Sequence, residues 1–122
     1  MHDATEGGLT AALNEMAEAS NVGFSVEWEK LLFTEEIRDL RAFYRLSDEE
    51  VLSMSSTGTF LVAVSPEDKE RVETVLRQNN IESRFIGSFT EDMKRVLVKS
   101  GKEVMFPVEA NDPYIKIISG KL

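Results

Sequence analysis

The sequence changes its hydrophobic period at residues 21–23, and this change constrains the fold more than any other feature. From Leu9 to Ala17, apolar residues recur at the spacing of one helix face, while polar residues occupy the other face. Over residues 24–28, apolar and polar residues alternate one by one, as in a half-buried strand. We therefore predict a helix over residues 7–20 that leads directly into a strand.

Helix and strand signals continue to alternate through the middle of the chain. Thr34 and Ser47 each precede acidic residues and a helical pattern, which is typical of helix N-caps. Residues 59–64 are apolar on both faces of a strand and predict a buried, central strand. Ser65 and Pro66 then indicate the start of another helix, with the serine as its cap and the proline in its first turn.

The second half of the chain predicts further strands. Residues 79–80, both asparagine, should end the preceding helix, and residues 81–89 predict a strand, so that strand, helix and strand form a βαβ-like unit. Residues 94–98 and 103–106 flank a Ser-Gly-Lys turn and predict a hairpin. The predicted fold class is α+β, with a mixed β-sheet packed against helices.

Size and composition exclude several classes of protein. The 122 residues fit one domain, which buries roughly two thirds of the surface that the unfolded chain exposes. Cysteine is absent, which excludes a disulfide framework, a thiolate metal site and a cysteine nucleophile. The net charge of −8 disfavours nucleic acid and anionic membrane as partners. Without a secretory signal or a membrane-length apolar stretch, we expect a cytoplasmic protein.

The first eight residues form a polar, glycine-rich motif that leads into the first predicted helix. The first backbone N–H groups of a helix are unsatisfied and carry positive partial charge, so such an end attracts phosphate. Glycine at the helix start would let an anion approach the main chain. The candidate phosphate- or substrate-binding residues are His2, Asp3, Thr5, Glu6, Gly7 and Gly8.

The same motif has a purely structural interpretation. Asp3 or Thr5 would cap the helix, Glu6 would complement its dipole, and the two glycines would permit close packing. His2 is the single histidine of the chain, so a histidine-based metal site would need carboxylate partners or another domain. The local sequence favours neither interpretation over the other.

A hydroxyl-rich segment just before residues 59–64 is the second candidate site. Its candidate residues are Ser56, Thr57 and Gly58, where the glycine allows close approach to the backbone. The structural alternative is a solvated loop whose hydroxyls hydrogen-bond the backbone. Local sequence alone favours this alternative.

Three acidic clusters fall at residues 35–36, 48–50 and 67–68. Mg²⁺ binds through one or two carboxylates together with substrate phosphates, so such clusters raise the question of a metal site. Each cluster stands where a helix should begin, however, and acids at a helix start complement its dipole. We therefore assign the clusters to helix starts and predict no metal site within this chain.

Residues 1–9, Met-His-Asp-Ala-Thr-Glu-Gly-Gly-Leu, closely resemble the start of the carboxy-terminal domain of AIR synthase-related proteins. The likeness continues through the first helix, through Ser-Thr-Gly-Thr at residues 56–59 with the apolar strand that follows, and through Ile86-Gly87. The branch that the chain resembles most is the HypE-type hydrogenase maturation factors. This resemblance implies the carboxy-terminal domain fold of aminoimidazole ribonucleotide synthase (PurM) over nearly the whole chain.

The resemblance also implies a function that needs a second domain. In this superfamily an amino-terminal domain supplies most ligands of ATP and Mg²⁺ and usually the dimer interface, while the carboxy-terminal domain closes the cleft with its glycine-rich helix start. We accordingly expect ATP and Mg²⁺ as cofactors of a longer parent chain, an amino-terminal ATP-binding domain as partner, and a homodimer. The phosphate- or substrate-facing role carries over to Asp3, Thr5, Gly7 and Gly8, and less directly to His2 and Glu6.

The sequence departs from the HypE pattern at two places. A HypE-type factor activates a thiocarboxamide on its own terminal cysteine, whereas this chain ends in Ser-Gly-Lys-Leu. Thr57 stands where those factors typically carry an acid. Two hypotheses follow: the carboxy-terminal domain of a HypE-like enzyme that is inactive alone, or a non-catalytic binding or regulatory module that retains the fold.

Overall fold

The computed structural model describes residues 2–3, 8–31, 33–54 and 60–108. In chain order, its helices and strands are β1 (His2–Asp3), α1 (Gly8–Ser20), β2 (Gly23–Glu27), α2 (Glu35–Tyr44), α3 (Asp48–Leu52), β3 (Phe60–Leu61), α4 (Lys69–Gln78), β4 (Gly87–Thr90), β5 (Arg95–Lys99) and β6 (Lys102–Met105). Short 3-10 turns follow β2 and precede α4. Within the described ranges, no helix is long and apolar enough to cross a bilayer.

Four strands form the main sheet, in the order β4-β2-β5-β6. The central strands β2 and β5 pair parallel to each other, and β4 and β6 pair antiparallel at the two edges. A parallel pair needs a crossover connection, and the helices between β2 and β5 lie within that connection. The mixed sheet with its helices confirms the α+β fold predicted from the sequence.

The change of hydrophobic period at residues 21–23 marks the junction of α1 and β2, as predicted. Asn21 has a φ of 56°, the left-handed conformation that commonly ends a helix. The apolar faces of the helix and the strand then meet in one core. Its buried residues are Leu13, Ala17, Phe24, Val26, Leu31, Leu52, Leu97 and Phe106. Within this core, the rings of Phe24 and Phe106 pack edge to face, with centroids 4.9 Å apart.

β5 and β6 form the predicted hairpin. Lys99 pairs with Lys102, so the turn consists of Ser100 and Gly101. Both turn residues have positive φ, 53° and 76°, as a two-residue turn matched to the twist of the strands requires. The N–H of Ser100 also donates a hydrogen bond to Glu29 Oε1 at 2.6 Å, which ties the hairpin to the turn after β2.

α2 and α3 form a second, smaller apolar cluster beside the main core. Thr34 Oγ1 accepts a hydrogen bond from the N–H of Ile37 at 3.3 Å and caps α2. Ser47 and Glu50 form a capping box at the start of α3, with both hydrogen bonds at 3.1 Å. Both N-caps are those that the sequence predicts. The buried residues of the cluster are Leu46, Val51 and Met54, which pack against Ile37, Leu40 and Tyr44.

Asp48 links this cluster to the main sheet. Its carboxylate accepts hydrogen bonds from Arg41 of α2 and from Lys99 of β5, the latter at 2.6 Å. Both cations also lie over the ring of Trp28, with Arg41 Cζ at 5.2 Å and Lys99 Nζ at 4.6 Å from the ring centroid. Burial alone would raise the pKa of Asp48, but the hydrogen bonds from Lys99 and Arg41 outweigh it and hold the pKa below its ordinary value.

The prediction of a central strand over residues 59–64 is wrong. In the described part of the chain, β3 spans two residues and pairs only with β1, in a two-stranded sheet separate from the main one. Phe60 and Val62, two residues apart in the sequence, are 54% and 55% exposed. Apolar residues on both faces of a strand predict contact on both sides, but they do not identify the molecule that supplies that contact.

The βαβ-like unit predicted around α4 is also not formed. β3 and β4 belong to different sheets, and β4 begins only at Gly87. The predicted cap is different as well, because Ser65 Oγ donates to Asp68 Oδ2 at 2.9 Å and the helix begins after a 3-10 turn. The predicted end of the helix at residues 79–80 is confirmed, since Asn80 has a φ of 58°.

Replacing Asp48 with asparagine tests the link between α2, α3 and β5. The amide keeps the shape of the side chain but leaves Arg41 and Lys99 without an anion, so we expect the free energy of unfolding to fall by about 1–2 kcal/mol at neutral pH. Because the folded state lowers the pKa of Asp48, its contribution is complete above the unfolded pKa of about 4 and is lost as the pH falls through the folded pKa. Urea denaturation across a pH series should therefore show the wild type and Asp48→Asn converging in acid.

The matched control is Asp39→Asn, which removes the same charge from an exposed position on α2. It should change the free energy of unfolding little at any pH. Equal losses of unfolding free energy in the two variants would contradict the role of Asp48 as the link between α2, α3 and β5. A loss in Asp48→Asn that persists in acid would contradict it as well.

Candidate functional site

Of the candidate residues from the sequence, the structure describes His2, Asp3 and Gly8. His2 and Asp3 form β1, and Gly8 is the first residue of α1. The candidates outside the described residues are Thr5, Glu6, Gly7, Ser56, Thr57 and Gly58. The binding roles of all these candidates stay predictions.

The pairing of β1 with β3 joins one end of each segment. The strands are antiparallel, with His2 opposite Leu61 and Asp3 opposite Phe60. Residues 4–7 follow Asp3 directly, and residues 55–59 directly precede Phe60. The opening motif therefore leaves this small sheet beside the point where the hydroxyl-rich segment enters it.

At the other end of both segments, Gly8 packs against the chain that follows α3. Its φ of 58° is a left-handed conformation that glycine adopts without steric cost. A side chain at this position would meet backbone, because an added Cβ would lie 2.7 Å from Leu52 O and closer still to Met54 O. Close packing is one of the two roles that the sequence allows for this glycine. At Gly8, close packing explains why a residue without a side chain is needed.

These two contacts bring together the described residues that border the two candidate segments. Residues 4–7 run from β1 to Gly8, and residues 55–59 run from Met54 to β3. Because β1 pairs with β3 and Gly8 contacts the residues up to Met54, the segments share both of their boundaries. Sequence reasoning missed this convergence, since it depends on contacts between residues far apart in the chain.

A buried polar contact supports the start of α1. Thr10 and Ser53 are both fully buried, and their hydroxyl oxygens lie 3.4 Å apart. Ser53 Oγ also donates a hydrogen bond to Glu49 O at 2.9 Å. Since buried hydroxyl groups need partners, this contact restricts how the first turn of α1 can sit against the end of α3. The sequence pattern does not predict this contact, since Thr10 falls on the polar face of the predicted helix and yet is buried.

The electrostatics of α1 differ from those of the other described helices. Its first turn carries no acidic side chain. α2, α3, α4 and the turn before α4 all begin with acids, so the predicted assignment of the acidic clusters to helix starts is confirmed. The positive end of the α1 dipole therefore lacks compensation from its own first turn, and an external anion would be stabilised there.

What the described residues provide at this site is a helix start that is positioned by packing against the end of α3. The unsatisfied N–H groups of a helix start bind anions such as phosphate through the main chain. Among the residues that the structure describes, no group of three histidine or acidic side chains could hold a metal ion. The arrangement suits binding of a phosphate group, with any metal ligands supplied from elsewhere.

Comparisons with known proteins find similar sequences. A family model described as AIR synthase related protein, C-terminal domain, matches residues 1–99. A putative hydrogenase expression/formation protein of Methanocaldococcus jannaschii is 33% identical over 102 residues, which cover 82% of this chain and 30% of that protein. Carbamoyl dehydratase HypE of Rhizobium leguminosarum bv. viciae is 30% identical over 94 residues, which cover 75% of this chain and 26% of that protein.

Solved structures show the same fold. The crystal structure of E. coli HypE superposes with a TM-score of 0.80 and 23% identity, over 92% of this chain and 35% of that one. A crystal structure of a HypE-HypF complex gives a TM-score of 0.75 at 20% identity. The matched part of this chain thus spans between about a quarter and about a third of the length of these proteins and structures.

Substituting alanine for Gly8 tests the packing at the start of α1. The left-handed conformation and the clash with the carbonyls of residues 52 and 54 should together lower the free energy of unfolding by about 3 kcal/mol. Gly101→Ala is the matched control, because its φ is also positive, at +76°, but nothing lies within 4 Å of an added Cβ. That variant should lose only about 1 kcal/mol. If chemical denaturation gave similar losses of unfolding free energy for Gly8→Ala and Gly101→Ala, Gly8 would not be closely packed.

Proposed function

The chain belongs to the AIR synthase-related family, as its C-terminal domain, and from that premise we propose that it contributes a phosphate-facing helix start to an ATP-dependent active site between two domains. The protein is HypE-like within this family. The segments that would face the phosphate or substrate are residues 2–8 and 56–58. In this proposal the isolated chain is inactive, because the site is completed by the other domain.

The convergence of the two segments carries the proposal. β1 pairs with β3, and Gly8 contacts the backbone at Leu52 and Met54, so the described residues that border the opening motif and the hydroxyl-rich segment lie side by side. The same place contains the start of α1, whose first turn has no acid to compensate the dipole. A phosphate bound there would meet backbone N–H groups from the helix and hydroxyl groups from Thr5 and the second segment.

The chemistry assigned to this chain is binding and orientation. ATP, when bound, supplies the phosphoryl group, and Mg²⁺ would be held mainly by the other domain. The N–H groups near Gly7 and Gly8 would hold a phosphate oxygen and compensate its charge, which favours transfer through positioning and electrostatics. The rigid contacts at Gly8 and between Thr10 and Ser53 keep these donors in a fixed orientation.

An apolar surface next to the site suits a covering domain. Phe60 and Val62 are more than half exposed, and they follow the residue at which the second candidate segment ends. Burial of such side chains against another domain would be favourable, by roughly 25 cal/mol for each Å² of apolar surface removed from water. We propose an amino-terminal domain of a longer chain as that partner, within a protein that forms a homodimer in the cytoplasm.

The second candidate function is a non-catalytic binding or regulatory module that keeps the fold. One observation favours it: Thr57 stands where HypE-type factors typically carry an acid. Such a module would still bind a phosphate or a metabolite at the start of α1. It would differ from the enzyme in lacking turnover when its longer chain is supplied with ATP.

Calorimetric binding of ATP, ADP and inorganic phosphate, with and without Mg²⁺, tests the proposal on this chain and on a longer chain that includes the upstream domain. The longer chain should bind and hydrolyse ATP, while this domain should bind phosphate weakly and show no turnover. Gly7→Ala in the longer chain should weaken ATP binding about tenfold, because a methyl group would obstruct approach to the main chain.

Gly101→Ala is again the control, since the hairpin turn lies outside the proposed site and its substitution should leave nucleotide affinity unchanged. Binding without turnover by the longer chain would support the module instead. If the longer chain neither binds nor hydrolyses nucleotide, the proposed function fails.

A further inference from the structure

Three arginines of α2 and its C-cap form a stripe along one side of the helix. Arg38, Arg41 and Arg45 are three and four residues apart, so they follow each other on the same face. Together with Ala42 and Leu46 they line an open groove with a volume of about 480 Å³. This set of residues is called the arginine groove below.

The positive charge of the arginine groove is only partly compensated. Arg41 pairs with Asp48, which also binds Lys99. Arg38 donates a hydrogen bond to the carbonyl oxygen of Phe33 at 3.2 Å, and among the described residues neither it nor Arg45 forms an ion pair. Uncompensated guanidinium groups on a chain with a net charge of −8 mark a local site for an acidic partner.

The position of the groove favours separated carboxylates over a compact phosphate. Arg38 and Arg45 are seven residues apart, which corresponds to roughly 10 Å along a helix. The groove lies toward the C-terminal end of α2, where the helix presents carbonyl groups and the negative end of its dipole, so no main-chain donors support a phosphate. Acidic side chains spread along a peptide match this spacing, and the exposed Ala42 offers an apolar contact between them.

The arginines themselves favour a protein partner, because arginine is enriched in the energetically important parts of protein interfaces. Two carboxylates border the groove: Glu35 lies one turn before Arg38, and Asp39 lies beside Ala42, on the side away from the arginines. An acidic segment would be repelled from these two carboxylates, so it would bind along the arginine side of the groove.

We propose that the arginine groove of α2 is a docking site for an acidic segment of a partner protein that carries apolar side chains between its carboxylates. The segment pairs its carboxylates with Arg38 and Arg45 and packs an apolar side chain on Ala42. This interaction is independent of the proposed phosphate site, which lies at the start of α1.

NMR titration of the ¹⁵N-labelled 122-residue chain tests the proposal with a synthetic peptide of alternating glutamate and leucine as the probe. Shifts should concentrate on residues 38–46, and binding should weaken as ionic strength rises, because these ion pairs are exposed. Arg38→Gln combined with Arg45→Gln should weaken binding about fivefold. Polyglutamate of the same length should bind more weakly than the mixed peptide, since it lacks the apolar contacts.

The matched control combines Arg77→Gln with Arg84→Gln, which removes two exposed positive charges elsewhere on the surface. It should leave the affinity for the peptide nearly unchanged. The proposal is overturned if both double variants weaken binding equally, if the shifts fall outside the groove, if the peptide does not bind, or if inorganic tripolyphosphate binds residues 38–46 more tightly than the peptide does.

Discussion

The close approach of Gly8 to the carbonyl groups of Leu52 and Met54 is the constraint on which the candidate site depends. It sets the start of α1 directly against the end of α3, where only a residue without a side chain fits. The hydroxyls of Thr10 and Ser53 meet in the same contact, and Leu13 and Leu52 continue it into the main core. The start of α1 therefore belongs to the packed part of the molecule.

Much of the fold follows from local physics that the sequence displays. The helix caps at Thr34 and Ser47, the hairpin turn at residues 100–101 and the change of period after α1 all depend on residues close together in the chain. The same reasoning was wrong for residues 59–64, because apolar residues on both faces of a strand do not reveal whether the chain itself covers them. The pairing of β1 with β3 was missed for a related reason, since register between distant segments leaves no local signal.

The candidate site divides in the same way between what the sequence can and cannot predict. A glycine-rich motif before a helix indicates an anion site from its composition, and the family resemblance supports the same residues. Its proximity to the hydroxyl-rich segment could not be predicted, because it requires both the contact at Gly8 and the small β1–β3 sheet. The fold thus brings together the residues that border two segments far apart in the sequence.

Cross-linking of the two segments tests this account most directly, because the chain contains no cysteine to interfere. A variant with Thr5→Cys and Thr57→Cys should cross-link within one molecule, by oxidation or with a short thiol-reactive linker, far faster than a variant with Thr5→Cys and Glu91→Cys. Residue 91 directly follows Thr90, the last residue of β4, which pairs with Gly23. It therefore lies near the C-terminal end of α1, whereas the candidate segments border its N-terminal end. Equal rates in the two folded variants would contradict the claim that residues 4–7 and 55–59 form a single site.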